Sequence, residues 1–276
     1  MPTSASPRRG TKAPPAIAPK RPIWLPLTLI AGIAVLAVIA AALPASLLER
    51  FLPPVVHAED FSGTLWHGSA GHLSVAGREA GAVEWRLHPL ALLRLHVLAD
   101  LHWVKGGFVL DGRLDAGRGE VAASDIRGGG PIADLASLGA AAGWQGSAQV
   151  RIQELKASWS ANGASLESAT GEITAADVAA RQIANGAPLG GYSLKFANPT
   201  LSPDAEASAT LADTGGPLLL NATLQLTPKT RTGLFSGAIA ARPDAAPQLR
   251  AQLQELARLH APDAAGRVPV DLEFTF

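Results

Sequence analysis

The sequence predicts a mainly β fold: an antiparallel, curved sheet with two or three short helices, standing behind one N-terminal transmembrane helix. Three observations carry that prediction. Apolar residues alternate with polar ones along most of the chain beyond residue 55, the period of a strand with one buried face. Glycine-containing turn signals separate the alternating stretches, as antiparallel hairpins require. One long uncharged run lies ahead of them, between Arg21 and Glu49.

In chain order, residues 1–21 are rich in Pro, Ala and basic side chains without periodicity, and read as a disordered arm. Residues 22–48 carry no charge, and Ile23 to Leu43 supply about the 20 apolar residues, at ~1.5 Å each, that a ~30 Å hydrocarbon core requires. Trp24 sits at the interfacial end of this segment, and Pro26 lies in its first turn, where a missing backbone donor costs least. Arg8, Arg9, Lys12, Lys20 and Arg21 flank one end, against Glu49 and Arg50 at the other. The positive-inside rule therefore places the N-terminus in the cytoplasm and the bulk of the chain outside. A cleaved signal peptide, with Val56-His57-Ala58 as the cleavage site, is the rival reading. Signal apolar regions run only ~7–15 residues, which favours an uncleaved anchor here. Pro44, Pro53 and Pro54 break up a short amphipathic segment, Ser46 to Leu52, so that residues 49–57 read as a linker and 58–276 as one β-rich domain.

Within that domain Leu73 and Val75, then Val83, Trp85 and Leu87, then Leu95, Val97, Ala99 and Leu101 are spaced by two. The same alternation predicts strands over 148–158, 165–173, 192–197, 205–212, 218–226, 233–241 and 268–276. Turns are expected at Lys105-Gly106-Gly107, Asp111-Gly112, Asn162-Gly163, Asn185-Gly186 and Thr214-Gly215-Gly216. Helical spacing is confined to Pro89–Leu95, Pro131–Leu138 and Pro247–His260, the last with Leu249, Leu253, Leu256 and Leu259 on one face. Trp66-His67-Gly68-Ser69-Ala70 returns as Trp144-Gln145-Gly146-Ser147-Ala148, which two copies of a β-unit or chance would each explain.

Composition closes several functional classes. A hydrophobic content of 47% is ample for a packed core. Setting aside the five basic residues of the arm leaves 18 basic against 23 acidic, a body of about −5. Such a body lacks the concentrated positive surface that nucleic acid requires. The absence of cysteine removes disulfides, thiolate metal ligands and thiol nucleophiles. No serine stands in a Gly-x-Ser-x-Gly context, so no catalytic residue, metal ligand or cofactor site is expected.

The remaining polar clusters have plainer readings. His67 and His72, with Glu59 and Asp60 nearby, fall short of a metal site because a separation of five puts the two rings on opposite faces of a continuous strand. His88, His96 and His102 read as interface or surface histidines without an orienting carboxylate, since Pro89 interrupts any strand that would align them. Asp111, Asp115 and Asp125 read as turn carboxylates. Gly128-Gly129-Gly130 reads as a flexible turn, because a phosphate loop would continue into Gly-Lys-Ser/Thr. Trp66, Trp85 and Trp103 are expected in the core.

One run points further. Gly63-Thr64-Leu65-Trp66-x-Gly68, followed by Trp85-x-Leu87-x-Pro89 with Leu92 and Leu93, resembles the N protein of the bacterial type II secretion system. The order of parts is similar too: basic arm, anchor, Pro-containing linker, Gly-Thr-Leu-Trp strand, Trp-x-Leu-x-Pro strand, then Pro131-Ile132-Ala133-Asp134-Leu135. The resemblance is specific over roughly residues 60–135 and weak afterwards. It implies a non-catalytic, single-pass component of the cell inner membrane, attached through residues 22–48, whose periplasmic body contacts other secretion-system subunits and supports export of folded proteins across the outer membrane. It also implies a structural role for Gly63, Thr64, Leu65, Trp66, Gly68, Trp85, Leu87, Pro89, Leu92 and Leu93, with glycines admitting close backbone approach and Trp and Leu filling the core. The same texture resembles AsmA-type envelope proteins, whose curved sheets form apolar grooves for lipid. Lipid is therefore the alternative partner.

Overall fold

A computed structural model describes residues 41–138, 142–160, 163–202, 205–227 and 232–275. The expected arm, and the apolar run as far as residue 40, lie outside these residues. No helix among the described residues is long and apolar enough to cross a membrane.

The body is one sheet of thirteen strands in strict sequence order. The strands are β1 (Val56–Gly63), β2 (His67–Val75), β3 (Arg78–Leu87), β4 (Val97–Lys105), β5 (Phe108–Gly117) and β6 (Glu120–Pro131). They continue as β7 (Trp144–Ser160), β8 (Gly163–Ala180), β9 (Pro188–Asn198), β10 (Ala207–Gly215), β11 (Leu218–Thr227), β12 (Thr232–Ala241) and β13 (Val268–Thr275). Each pairs antiparallel with its neighbours in sequence, as in the β2–β3 and β7–β8 hairpins. The mainly β, antiparallel expectation holds. Among the described residues beyond Pro44, helix is limited to α1 (Pro89–Leu92), α2 (Pro247–Leu259) and short 3₁₀ turns at Ala45–Phe51, Ile132–Leu138 and Ala184–Gly186.

Period-two alternation sorts the sheet into two faces. Trp85 stands opposite Leu101 on one face, and the row continues through Ile126 opposite Ile152 and Phe196 opposite Ala209. On the other face Arg127 stands opposite Arg151, Arg151 opposite Glu172 and Glu172 opposite Lys195. The apolar face is sealed in two places. Ala45, from the 3₁₀ turn Ala45–Phe51, is buried with Ala58, Ala70 and Trp85 of the sheet, and Leu48, Leu52, Phe61 and Leu87 pack around them. Val178, Ala180, Leu189, Ala245 and Leu249 form the second cluster, closed by α2 through Leu249 and Leu253. Between β7 and β11 the same face keeps a small hollow of about 190 Å³ bordered by Ile152, Leu155, Leu166, Ile173, Phe196 and Leu224.

Several local expectations need correction. The uncharged run does not continue as helix through residue 48: Pro44 is extended (φ −71, ψ 149) and bridges Thr64, so Ala45–Phe51 packs on the sheet. Gly63 ends β1, but Thr64-Leu65-Trp66 is not strand; it is the β1–β2 connection, held by Thr64 N–H to His67 O at 2.8 Å and Leu65 N–H to Leu43 O at 2.7 Å. Leu95 and His96 precede β4 rather than belonging to it. Asp111-Gly112 is no turn; both sit inside β5, opposite His102 and Leu101. Gly128-Gly129-Gly130 is likewise strand, not flexible loop, because a Cβ there would strike the carbonyls of Val109 and Ala148 on the flanking strands and of Gly107 in the β4–β5 turn. The tryptophan echo is not a structural repeat: Trp66 lies in a connection while Trp144 opens β7, a strand running opposite to β2.

Candidate functional site

The charged residues of β2 to β6 meet because register, rather than sequence proximity, sets their neighbours. His67 stands opposite Arg86, Arg86 opposite Asp100, and Asp100 opposite Arg113. One step along, Ser69 stands opposite Glu84, Glu84 opposite His102, His102 opposite Asp111, and Asp111 opposite Arg127. Side chains at directly paired positions share a face, so the two rows floor an open groove of about 680 Å³ across five strands.

Several of the charges along it are paired. His102 Nδ1–H donates to Asp111 Oδ1 at 2.6 Å and His88 Nε2–H to Asp100 Oδ2 at 2.7 Å. The Arg113 guanidinium reaches Asp100 Oδ1 at 3.0 Å. Just beyond the groove, His96 Nδ1–H donates to Asp115 at 3.0 Å and His72 Nδ1–H to Asp60 at 2.8 Å. Carboxylates only accept, so each contact fixes which ring nitrogen holds the proton. The hydrogen bond from His88 holds the Asp100 carboxyl below the ordinary carboxylate range; slight burial opposes it and Arg113 reinforces it. The reading of His88, His96 and His102 as lacking an orienting carboxylate is therefore overturned. The reason is hairpin arithmetic: the turn at Gly106-Gly107 brings Asp111 opposite His102 and Arg113 opposite Asp100.

The residues singled out from sequence divide into two groups. Gly63, Thr64, Leu65, Trp66, Gly68, Trp85 and Leu87 are drawn together at the end of the groove. Gly63 ends β1 with φ +80, a conformation that side chains rarely adopt. Gly68 lies so close beneath Trp85 that a Cβ would stand 2.6 Å from its Cζ2. Trp85 is buried, donates its indole N–H to Leu65 O at 2.9 Å, and meets Phe61 edge-on at 6.2 Å. Leu87 N–H donates to Trp66 O at 2.8 Å. Pro89 opens α1 instead, and Leu92 and Leu93 are exposed. Among the described residues no group of three or more His, Cys, Asp or Glu is placed to hold a metal ion.

An alternating ladder of this kind, open to solvent and holding both signs, suits recognition of a polar polypeptide surface by pairwise charge complementarity. A family model described as type II secretion system (T2SS), protein N, matches residues 54–271. No curated protein and no solved structure gives a match. The likeness thus reaches well past residue 135, into β13.

Proposed function

The chain belongs to the type II secretion system protein N family, and we propose that it serves there as a non-catalytic tether whose charged groove docks another subunit. As a component of that system it works in the cell envelope with other secretion-system subunits. In the reading proposed here, the apolar run between Arg21 and Pro44 spans the inner membrane with the N-terminal arm in the cytoplasm, and the sheet stands in the periplasm. The basic flank and the length of the run support that topology.

The observation that carries the docking role is the pair of in-register rows through Arg86, Asp100 and Arg113 and through Glu84, His102 and Asp111. Asp100 holds Arg113 and Asp111 holds His102, so a partner meets partly preorganised charge at a reduced ordering cost. The lipid-holding alternative would rely on the hollow between β7 and β11, whose ~190 Å³ is below the ~300–1,000 Å³ of ordinary ligand pockets. The test is charge reversal. Arg86→Glu with Arg113→Glu should abolish secretion of folded cargo in a variant that still accumulates and folds, with a midpoint lowered only modestly by the like charges opposite Asp100. Normal secretion by that stable double variant would overturn the docking role.

A further inference from the structure

Among the described residues, five of the twelve exposed large hydrophobic side chains cluster at the β3–β4 connection: Leu90 (76% exposed), Leu92 (42%), Leu93 (82%) and Leu95 (64%) within it, and Val97 (42%) opening β4. Single exposed leucines are ordinary, but a contiguous cluster marks a contact surface. The connection is also built to present them. Arg94 N–H donates to Ala91 O at 2.9 Å, Leu95 N–H to Leu92 O at 2.9 Å and His96 N–H to Ala91 O at 3.2 Å. Leu95 is held at φ 62, an unfavourable backbone for a leucine.

Its place in the sheet identifies what covers it. Leu87, the last residue of β3, hydrogen-bonds Trp66, and Leu65 hydrogen-bonds Leu43, the final residue of the apolar run. The start of the leucine connection and the point where the chain leaves that run therefore lie at one end of the sheet, about two strand spacings or ~10 Å apart. The charge fits as well. Residues 89–95 hold no acidic side chain, and Arg94 makes no ion pair with a described residue. The nearby carboxylates of Asp100 and Asp115 are turned onto His88 and His96.

We infer that Leu90, Leu92, Leu93 and Leu95 insert into the interfacial layer of the bilayer, with Arg94 at its anionic headgroups. The body is then held at two points, and the β3–β4 end of the sheet faces the membrane while the β2–β3 turn faces away. This rests on the anchor reading of residues 23–43, and the test separates the two.

The chain has no cysteine, so single substitutions label cleanly. Full-length Leu93→Cys, Val75→Cys and Ala34→Cys, each carrying an environment-sensitive fluorophore, are reconstituted into vesicles of phosphatidylethanolamine and phosphatidylglycerol with nitroxide-bearing lipid. Val75 lies at the far end of β2, ~26 Å from His67 at strand rise. The inference expects quenching at 34 and 93 several-fold above that at 75. Quenching at 34 with 93 no higher than 75 leaves the anchor standing and overturns the leucine insertion. Quenching at 93 without 34 keeps the insertion and removes the anchor. Quenching at neither overturns both.

Discussion

Replacing Trp85 with Ala tests the packing that joins the family motif into one unit. Trp85 is 8% exposed and packs with Ala45, Ala58 and Ala70. Truncating a buried tryptophan costs ~3–5 kcal/mol. The edge-on contact with Phe61, 6.2 Å between ring centres, accounts for ~0.5–1.5 kcal/mol of that. The indole hydrogen bond to Leu65 O, at 2.9 Å, accounts for about 1 kcal/mol. Trp85→Phe keeps the ring contact and loses the bond and part of the volume, so it should cost ~1–2 kcal/mol. Trp66 is only half-buried, and Trp66→Ala should cost less than Trp85→Ala, ~1–2 kcal/mol. Against a total stability of ~5–15 kcal/mol, the Trp85→Ala loss is large. Urea unfolding of the detergent-solubilised full chain, followed by circular dichroism, measures all three. A Trp85→Ala variant within ~1 kcal/mol of the parent, or one no worse than Trp85→Phe, would refute the reasoning.

Other outcomes follow from particular contacts. Gly68→Ala places a methyl 2.6 Å from Trp85 Cζ2 and 2.7 Å from Thr64 O, so it should destabilise by ~1–3 kcal/mol in the same urea assay. Leu249→Ala empties the fully buried anchor of α2 and should cost ~2–5 kcal/mol; an unchanged midpoint would mean that α2 does not close the second cluster. Asp100, Glu172 and Asp263 have carboxyls lowered in the fold, by His88, by Ser193 and by the Arg267 backbone N–H respectively. Each contributes stability that is present above the unfolded carboxyl value of ~4 and is lost as pH falls through the lower folded value. The urea midpoint should therefore decline as pH drops below about 4, and Asp100→Asn should flatten that decline; an unaltered slope would deny the His88–Asp100 contact its role.

The sequence announced the sheet more clearly than the groove. Alternation at Val83, Trp85 and Leu87 and at 218–226 survives as β3 and β11 because one face of each strand packs while the other meets solvent. Pro at the first position and leucines three to four apart placed α2 within a residue of its observed end. Glycine misled where its role was close approach: Gly112 and Gly128 to Gly130 read locally as turns, but they are strand residues, Gly112 against the Ile126 side chain and Gly128 to Gly130 against neighbouring backbone. The His–Asp pairs were missed because they join residues 9 to 19 apart in sequence. Counting outward from the Gly106-Gly107 turn would have exposed His102–Asp111 and Asp100–Arg113, since both pairs are centred on it. No comparable count reaches His96–Asp115, because Leu95 leaves the strand period at φ 62.

The central claim, that the charged groove is a docking face for another secretion-system subunit, is tested most directly by crosslinking in intact envelopes of secreting cells. A photo-reactive residue replaces Asp111 inside the groove, and in a second strain Glu255 on the exposed side of α2. The account predicts adducts from position 111 that contain an identified secretion-system subunit, and none of them from position 255. Adducts from position 111 that contain only phospholipid, or the same subunit captured equally from both positions, would contradict it.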